Sequence, residues 1–233
     1  MKLSARSLSM MAALGLAGAA VMTLDSGAAA LAAEEAKIIP APRLKAVESG
    51  KQRVAIFAGG CFWGVEGVFS HVKGVKSAVS GYHGDGKVNA NYDDVSSGVT
   101  RHAEAVRVVY DPSQVSYGQL LQVFFSVVAD PTTLNRQGPD SGRQYRTALV
   151  PTDKSQAQVA RAYVAELDKA GVWKKRIVTA VEPYKAFYPA EGYHQDFMFK
   201  NPDHPYILRW DAVKVSNFKR TFPTLYSAKP VRG

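Results

Sequence analysis

The sequence predicts an α/β two-layer sandwich with a mixed sheet, and three observations carry that prediction. Apolar runs of strand length recur along the chain, stretches with helical spacing separate most of them, and the second and third strands follow each other without a core helix between. Uninterrupted strand–helix alternation would favour a doubly wound sheet. A direct strand-to-strand link instead favours helices packed against one mixed sheet.

The elements follow in order. Arg53 to Ala58 alternates as a strand and ends at Gly59-Gly60. Cys61 then opens a helical pattern in which Phe62, Val65 and Phe69 share a face. Val75 to Tyr82 is the second strand. Gly84 to Thr100, rich in Gly, Asn, Asp and Ser, is mostly loop with room for one helical turn. Ala103 to Tyr110 is the third strand, closed by Asp111-Pro112. Ser116 and Gln119 have capping-box spacing ahead of Leu120, Leu121, Phe124, Phe125 and Val128, a core helix stopped by Pro131. Thr132 to Gln144 reads as a polar loop and Tyr145 to Val150 as a strand. A helix spans Thr152 to Ala170 with Ala157, Ala160, Val164 and Leu167 inward and Gly171 as its stop. Ile177 to Val181 is a further strand, and the remainder is aromatic, irregular and partly helical.

Composition bounds the function class. The 233 residues are 46% hydrophobic and 21% charged, enough for one sizeable core and unlike a disordered or fibrous chain. The net charge of +9 is scattered, its densest group being Lys174, Lys175 and Arg176, and no nucleic-acid-binding motif accompanies it. Lys2 and Arg6 precede an apolar stretch from Met10 to Leu24 and an Ala30-Leu31-Ala32 cleavage pattern. Residues 1–32 therefore read as a cleavable signal peptide, short for a membrane span, and imply export to a periplasmic or extracellular space. Residues 33–51, with Pro40 and Pro42, read as a flexible linker, and residues 52–233 as the single folded domain. A monomer with no stable membrane span after cleavage and no nucleic-acid partner is expected.

The chain has one cysteine, Cys61, which excludes an internal disulfide and a multi-thiolate zinc site. A strand, two glycines and a Cys at a helix start is a chemically loaded order. Free amides at a helix N-terminus favour a thiolate, and glycines let another molecule approach the backbone. Burial as a small core residue is the alternative for Cys61 alone. Phe62 and Trp63 argue against it, because two adjacent large aromatics cannot both point inward and one must line a surface pocket.

The run Gly60-Cys61-Phe62-Trp63-Gly64-Val65-Glu66 resembles the signature of the type A peptide methionine sulfoxide reductases. Further matching segments follow in the family's order: Gly81-Tyr82, Gly98 with His102-Ala103-Glu104-Ala105-Val106, Tyr117 to Phe125, and Asp130-Pro131-Thr132. Arg136-Gln137-Gly138 with Asp140, Gln144-Tyr145-Arg146, Phe187 to Glu191 and Tyr193-His194-Gln195 complete the series. The resemblance implies an α-β plait of ferredoxin-like type and reduction of methionine S-sulfoxide, free or in oxidised proteins and peptides. It implies that the Cys61 thiolate attacks the sulfoxide sulfur and that Glu104 protonates the oxygen, its acidity weakened by apolar neighbours on its strand face. Tyr82 and Tyr145 match phenols that bond the sulfoxide oxygen, Asp140 and His194 match polar pocket residues, and Phe62 and Trp63 would hold the S-methyl group. No metal or prosthetic cofactor is called for.

Many relatives carry extra cysteines that trap the sulfenic acid as a disulfide; this chain has Ser96-Ser97 where some have Cys-Ser, and no thiol after Tyr226. An external reductant is therefore expected: a thioredoxin-like or glutaredoxin-like protein or a small thiol. Phe197 replaces a common tyrosine, and Gly84-Asp85 replaces a more usual Gly-Gly. Two other classes compete. One is an exported cysteine hydrolase using His102 or His194 as base, and the other is a non-enzymatic basic surface-binding protein.

Overall fold

The computed structural model describes residues 36–233, so the expected signal peptide lies outside the described residues. Four strands form the centre of a six-stranded sheet: β1 (Arg53–Gly59), β2 (Val75–His83), β3 (Ala103–Tyr110) and β6 (Thr147–Val150). The order across the sheet is β7-β6-β1-β3-β2-β8, with β7 (Ala180–Val181) and β8 (Tyr188–Pro189) as short edges. The four central strands pair antiparallel throughout, and β7 joins β6 in parallel, so the sheet is mixed as expected. Helix α1 (Phe62–Ser70) links β1 to β2. A short helix α2 (Tyr92–Ser96) lies in the loop between β2 and β3. Helix α3 (Tyr117–Val123) runs on into a π turn at Phe124–Val128. Helix α4 (Lys154–Lys169) follows β6, and α5 (Phe197–Lys200) and α6 (Ala212–Thr221) belong to the C-terminal segment.

The core lies between the sheet and the helices. Phe57 of β1 stacks on Phe69 of α1 at 4.6 Å between ring centres, and packs on Phe124 at 5.6 Å and Tyr117 at 6.3 Å. Full burial of each such ring is worth on the order of 1.5–3 kcal/mol. The Ser116–Gln119 capping box forms in both directions, so the helix it starts points its apolar face at Phe57. The other face of the sheet is lined mainly by small side chains, Ala58, Ala103, Ala105 and Ala148, with Ile56 and Val150.

The structure corrects several readings. The segment read as a flexible linker is, from residue 36, a packed strap. Ile39 is buried in the main core, Tyr163 donates to the Pro40 carbonyl at 2.6 Å, and Gln122 donates to the Ile39 carbonyl at 2.6 Å. Glu48 accepts from the Tyr110 hydroxyl and the Tyr117 amide. Prolines and mixed charge conceal such a strap because its anchors come from distant elements. In α4 the inward face holds Gln156, Val159, Ala160, Tyr163 and Leu167, whereas Ala157 and Val164 are only half-buried. Buried Gln156 is tolerated because it donates to the Val54 carbonyl and accepts from the Thr152 amide. The stretch read as the polar loop 132–144 contains a hairpin of two-residue strands, β4 (Arg136–Gln137) and β5 (Asp140–Ser141). Tyr145 belongs to a 3-10 turn ahead of β6 rather than to the strand, and only Ala180–Val181 of the expected Ile177–Val181 strand pairs.

The strap can be tested directly. Ile39→Ala is expected to lower unfolding free energy by roughly 2–5 kcal/mol in urea titrations, as for other buried aliphatic truncations. A loss below about 0.5 kcal/mol, typical of surface substitutions, would mean the segment does not pack.

Candidate active site

The site is built where β1 ends and α1 begins. Gly60 adopts φ +88, a left-handed conformation, and a Cβ there would run into the Gln137 side chain. Gln137 is itself fixed, accepting from the Asp130 amide at 2.9 Å and donating to the Asp130 carbonyl at 2.7 Å. This contact turns the chain so that Cys61 becomes the residue capping α1. Gly64, one turn on, leaves room for the Asp211 carboxylate against the first turn of the helix; a Cβ would collide with it.

The sheet brings Glu104 under this helix end. Glu104 stands opposite Tyr82 in the β2–β3 register, on the face that packs α1. It is 2% exposed, and its Oε2 accepts a 2.9 Å hydrogen bond from the Phe62 amide, the residue directly after Cys61. Burial pushes its carboxyl up to about 8, against the pull of the Phe62 amide. Burial thus favours the protonated carboxyl near neutral pH.

Cys61 is 8% exposed. Here the structure corrects the expected acidity: burial, then the charges of Asp211 and Glu104, push the thiol well above its ordinary range. The Trp63 amide and Lys214 pull the other way and do not prevail. A helix N-terminus contributes about 0.3–1 kcal/mol, less than the several kcal/mol that desolvation can exert on a buried charge. Burial thus disfavours the ionised forms of both the thiol and the carboxyl.

The aromatic residues divide as expected. Phe62 is buried, 5.0 Å from the His194 ring and 5.9 Å from Tyr82, whereas Trp63 is half-buried. Trp63 stacks on Phe197 at 3.7 Å with planes 9° apart, so the ring that replaces the common tyrosine forms one wall. Its indole N–H donates to His194 Nδ1 at 3.1 Å. Tyr206 meets the edge of Trp63 at 5.9 Å and its hydroxyl donates to Asp140 Oδ2. Asp140 is carried there by the β4–β5 hairpin, paired with Gln137, and burial raises its carboxyl despite the Tyr206 bond.

The two expected phenols differ. Tyr145 ends the 3-10 turn Arg143–Tyr145, and burial first, with Glu104, Asp140 and Cys61 acting in the same direction, raises its hydroxyl. Tyr82 is fully buried, and its hydroxyl donates to Glu191 Oε2 at 2.8 Å. It is thus a bonded phenol whose reach to a substrate oxygen requires exchange of that bond. Glu191 also accepts from the Tyr92 amide at 2.9 Å, and the Tyr92 ring lies 4.4 Å from His194.

Sequence reasoning assigns no role to Glu191, though it lies in a matching segment, and does not single out Tyr92, Tyr206 or the Asp211–Lys214 ion pair, whose N–O distance is 3.4 Å. Asp211 had one signal, an acid on the helical face that also carries Ile207 and Phe218. Tyr92 had none, lying in a loop-like stretch.

Neither histidine is placed as a thiol base. His102 accepts from the Asp85 amide at 3.3 Å and its other ring nitrogen meets the Gly86 carbonyl at 3.0 Å, which fixes the loop opened by Gly84. His194 is bonded to Trp63, and burial lowers its basicity.

Comparison with known proteins shows the family. The family model described as peptide methionine sulfoxide reductase matches residues 53–225. Over 177 residues the chain is 59% identical to peptide methionine sulfoxide reductase MsrA 2 of Mesorhizobium japonicum, covering 76% of this chain and 91% of that protein. It is 52% identical over 168 residues to MsrA 2 of Synechocystis sp., covering 72% and 78% respectively. Among solved structures, reduced Mxr1 from Saccharomyces cerevisiae superposes with a TM-score of 0.60 at 30% identity, covering 72% of this chain and 94% of that one. Methionine sulfoxide reductase A of Corynebacterium diphtheriae gives a TM-score of 0.57 at 33% identity, covering 72% and 89%. The chain belongs to the type A peptide methionine sulfoxide reductases.

Proposed function

We propose that the chain reduces methionine S-sulfoxide to methionine, free and in oxidised proteins, with Cys61 as nucleophile and Glu104 as general acid. The observation that carries the assignment of roles is the Phe62 N–H···Oε2 bond, which sets a buried, protonated carboxyl beside the residue that bears the thiol. The S preference rests on family resemblance.

As sulfur of Cys61 bonds to the sulfoxide sulfur, Glu104 gives its proton to the oxygen, and the thiol proton replaces it on the carboxylate. In the adduct the hydroxyl is on the substrate sulfur; collapse breaks that S–O bond and the new S–S bond as the hydroxyl passes to the Cys61 sulfur, releasing methionine and leaving the sulfenic acid, so Cys61 is oxidised and the substrate reduced. Phe62 and Trp63 would receive the S-methyl group, with Tyr145, Tyr82, Asp140 and His194 as polar contacts. Two external thiols, from a thioredoxin-like or glutaredoxin-like protein or a small thiol, then reduce the sulfenic acid, forming a disulfide and water. No second cysteine is present to do so within the chain.

A hydrolase reading would require a histidine bonded to Cys61. His102 serves its loop and His194 serves Trp63. The proposed setting is export to a periplasmic or extracellular space, supported by the charge and apolar pattern of residues 1–32. Among the described residues no helix is long and apolar enough to cross a membrane.

With dithiothreitol as reductant, turnover of only one sulfoxide epimer is expected, and Cys61→Ser should be inactive. Glu104→Gln should lower kcat by roughly 10²- to 10⁴-fold, the usual contribution of a general acid. Without thiol, the native protein should release one methionine per Cys61 and stop; repeated turnover would rule out the external-thiol cycle. Iodoacetamide alkylation of the free enzyme should be slow at neutral pH and accelerate as pH rises above the ordinary thiol range, because the thiol's ionisation is displaced upward. Asp211→Asn removes a repelling charge, so alkylation at a given alkaline pH should become faster; an unchanged rate would show that Asp211 does not act on the thiol.

A further inference from the structure

A groove of about 630 Å³ opens beside the site on the side of the β4–β5 hairpin. Trp173 and Trp210 give it an apolar lining, and Lys37, Arg136, Lys174 and Lys175 stand around it. These four cations are exposed, and none makes an ion pair with a described residue. The fifth cation, Lys214, is held by Asp211. The acid in the lining, Asp130, accepts from the amide and hydroxyl of Thr132. The groove therefore presents an excess of positive charge without acidic partners, Arg136 donating to the Gly138 carbonyl at 3.2 Å.

It adjoins the site through two shared residues. Tyr206 lines the groove while bonding Asp140 and meeting the edge of Trp63. Gln137 lines it while packing against Gly60. An extended peptide advances about 3.3 Å per residue, so residues flanking a sulfoxide seated at Trp63 can pass Tyr206 into the groove. Free methionine sulfoxide has no such flank.

We infer that this groove docks the acidic flank of peptide-bound methionine sulfoxide, giving the enzyme a preference for oxidised methionines in acidic segments. The inference rests on the reductase reading above. Opposite charge along a partly exposed channel adds modest affinity and salt-sensitive association.

The test uses the full chain, dithiothreitol, N-acetyl-methionine sulfoxide, and capped peptides carrying one methionine sulfoxide flanked on both sides by Glu, Gln or Lys. Glu-flanked peptides should show a kcat/KM about three- to tenfold above Gln-flanked ones, with Lys-flanked ones lower still, and the spread should shrink at high salt. In Lys174→Glu/Lys175→Glu the order should flatten or reverse while turnover of N-acetyl-methionine sulfoxide stays unchanged, which also shows that the variant is folded. Equal kcat/KM for the three peptides, or a preference that survives charge reversal, would overturn the inference alone. No turnover of the small substrate by the native protein would overturn the reductase reading and this inference with it.

Discussion

The hydrogen bond from the Phe62 amide to Glu104 is the constraint on which the site depends. It joins the start of α1 to β3, a central strand of the sheet, so that Cys61 and Glu104 are held by buried elements. The same burial that permits the bond keeps the carboxyl protonated to about 8. An exposed glutamate at that position would be ionised at neutral pH and unable to donate.

Burial acts on the thiol in the opposite chemical sense. A site designed only for thiolate formation would surround Cys61 with cations, yet Asp211 and Glu104 both oppose its ionisation. A resting neutral thiol is protected from indiscriminate oxidation, since thiolate character sets susceptibility. Reactivity is then tied to the arrival of a sulfoxide, whose oxygen accepts the Glu104 proton and leaves a carboxylate able to take the thiol's. Lys214, paired with Asp211, limits the repulsion at the moment the charge forms.

Much of this was legible in the sequence, for identifiable reasons. Strands β1 and β3 show their alternation, Ser116 and Gln119 announce a helix start through local hydrogen bonds, and Gly60-Cys61-Phe62-Trp63 marks the catalytic turn. Glu104 was readable because its strand neighbours Val106, Val108 and Tyr110 name its face. What escaped depends on distant partners. The strap from residue 36 is held by Tyr163, Gln122, Tyr110 and Tyr117, and the bond that occupies Tyr82 comes from Glu191 across the sheet edge. The thiol's acidity was misjudged because local helix geometry was visible and the surrounding desolvation was not.

Infrared difference titration of the native protein against Glu104→Gln measures the central claim most directly. A protonated-carboxyl band assignable to Glu104 should be present at neutral pH and give way to carboxylate with a midpoint near 8. A carboxylate signature for Glu104 already complete at pH values about one unit above the ordinary glutamate range would contradict the account.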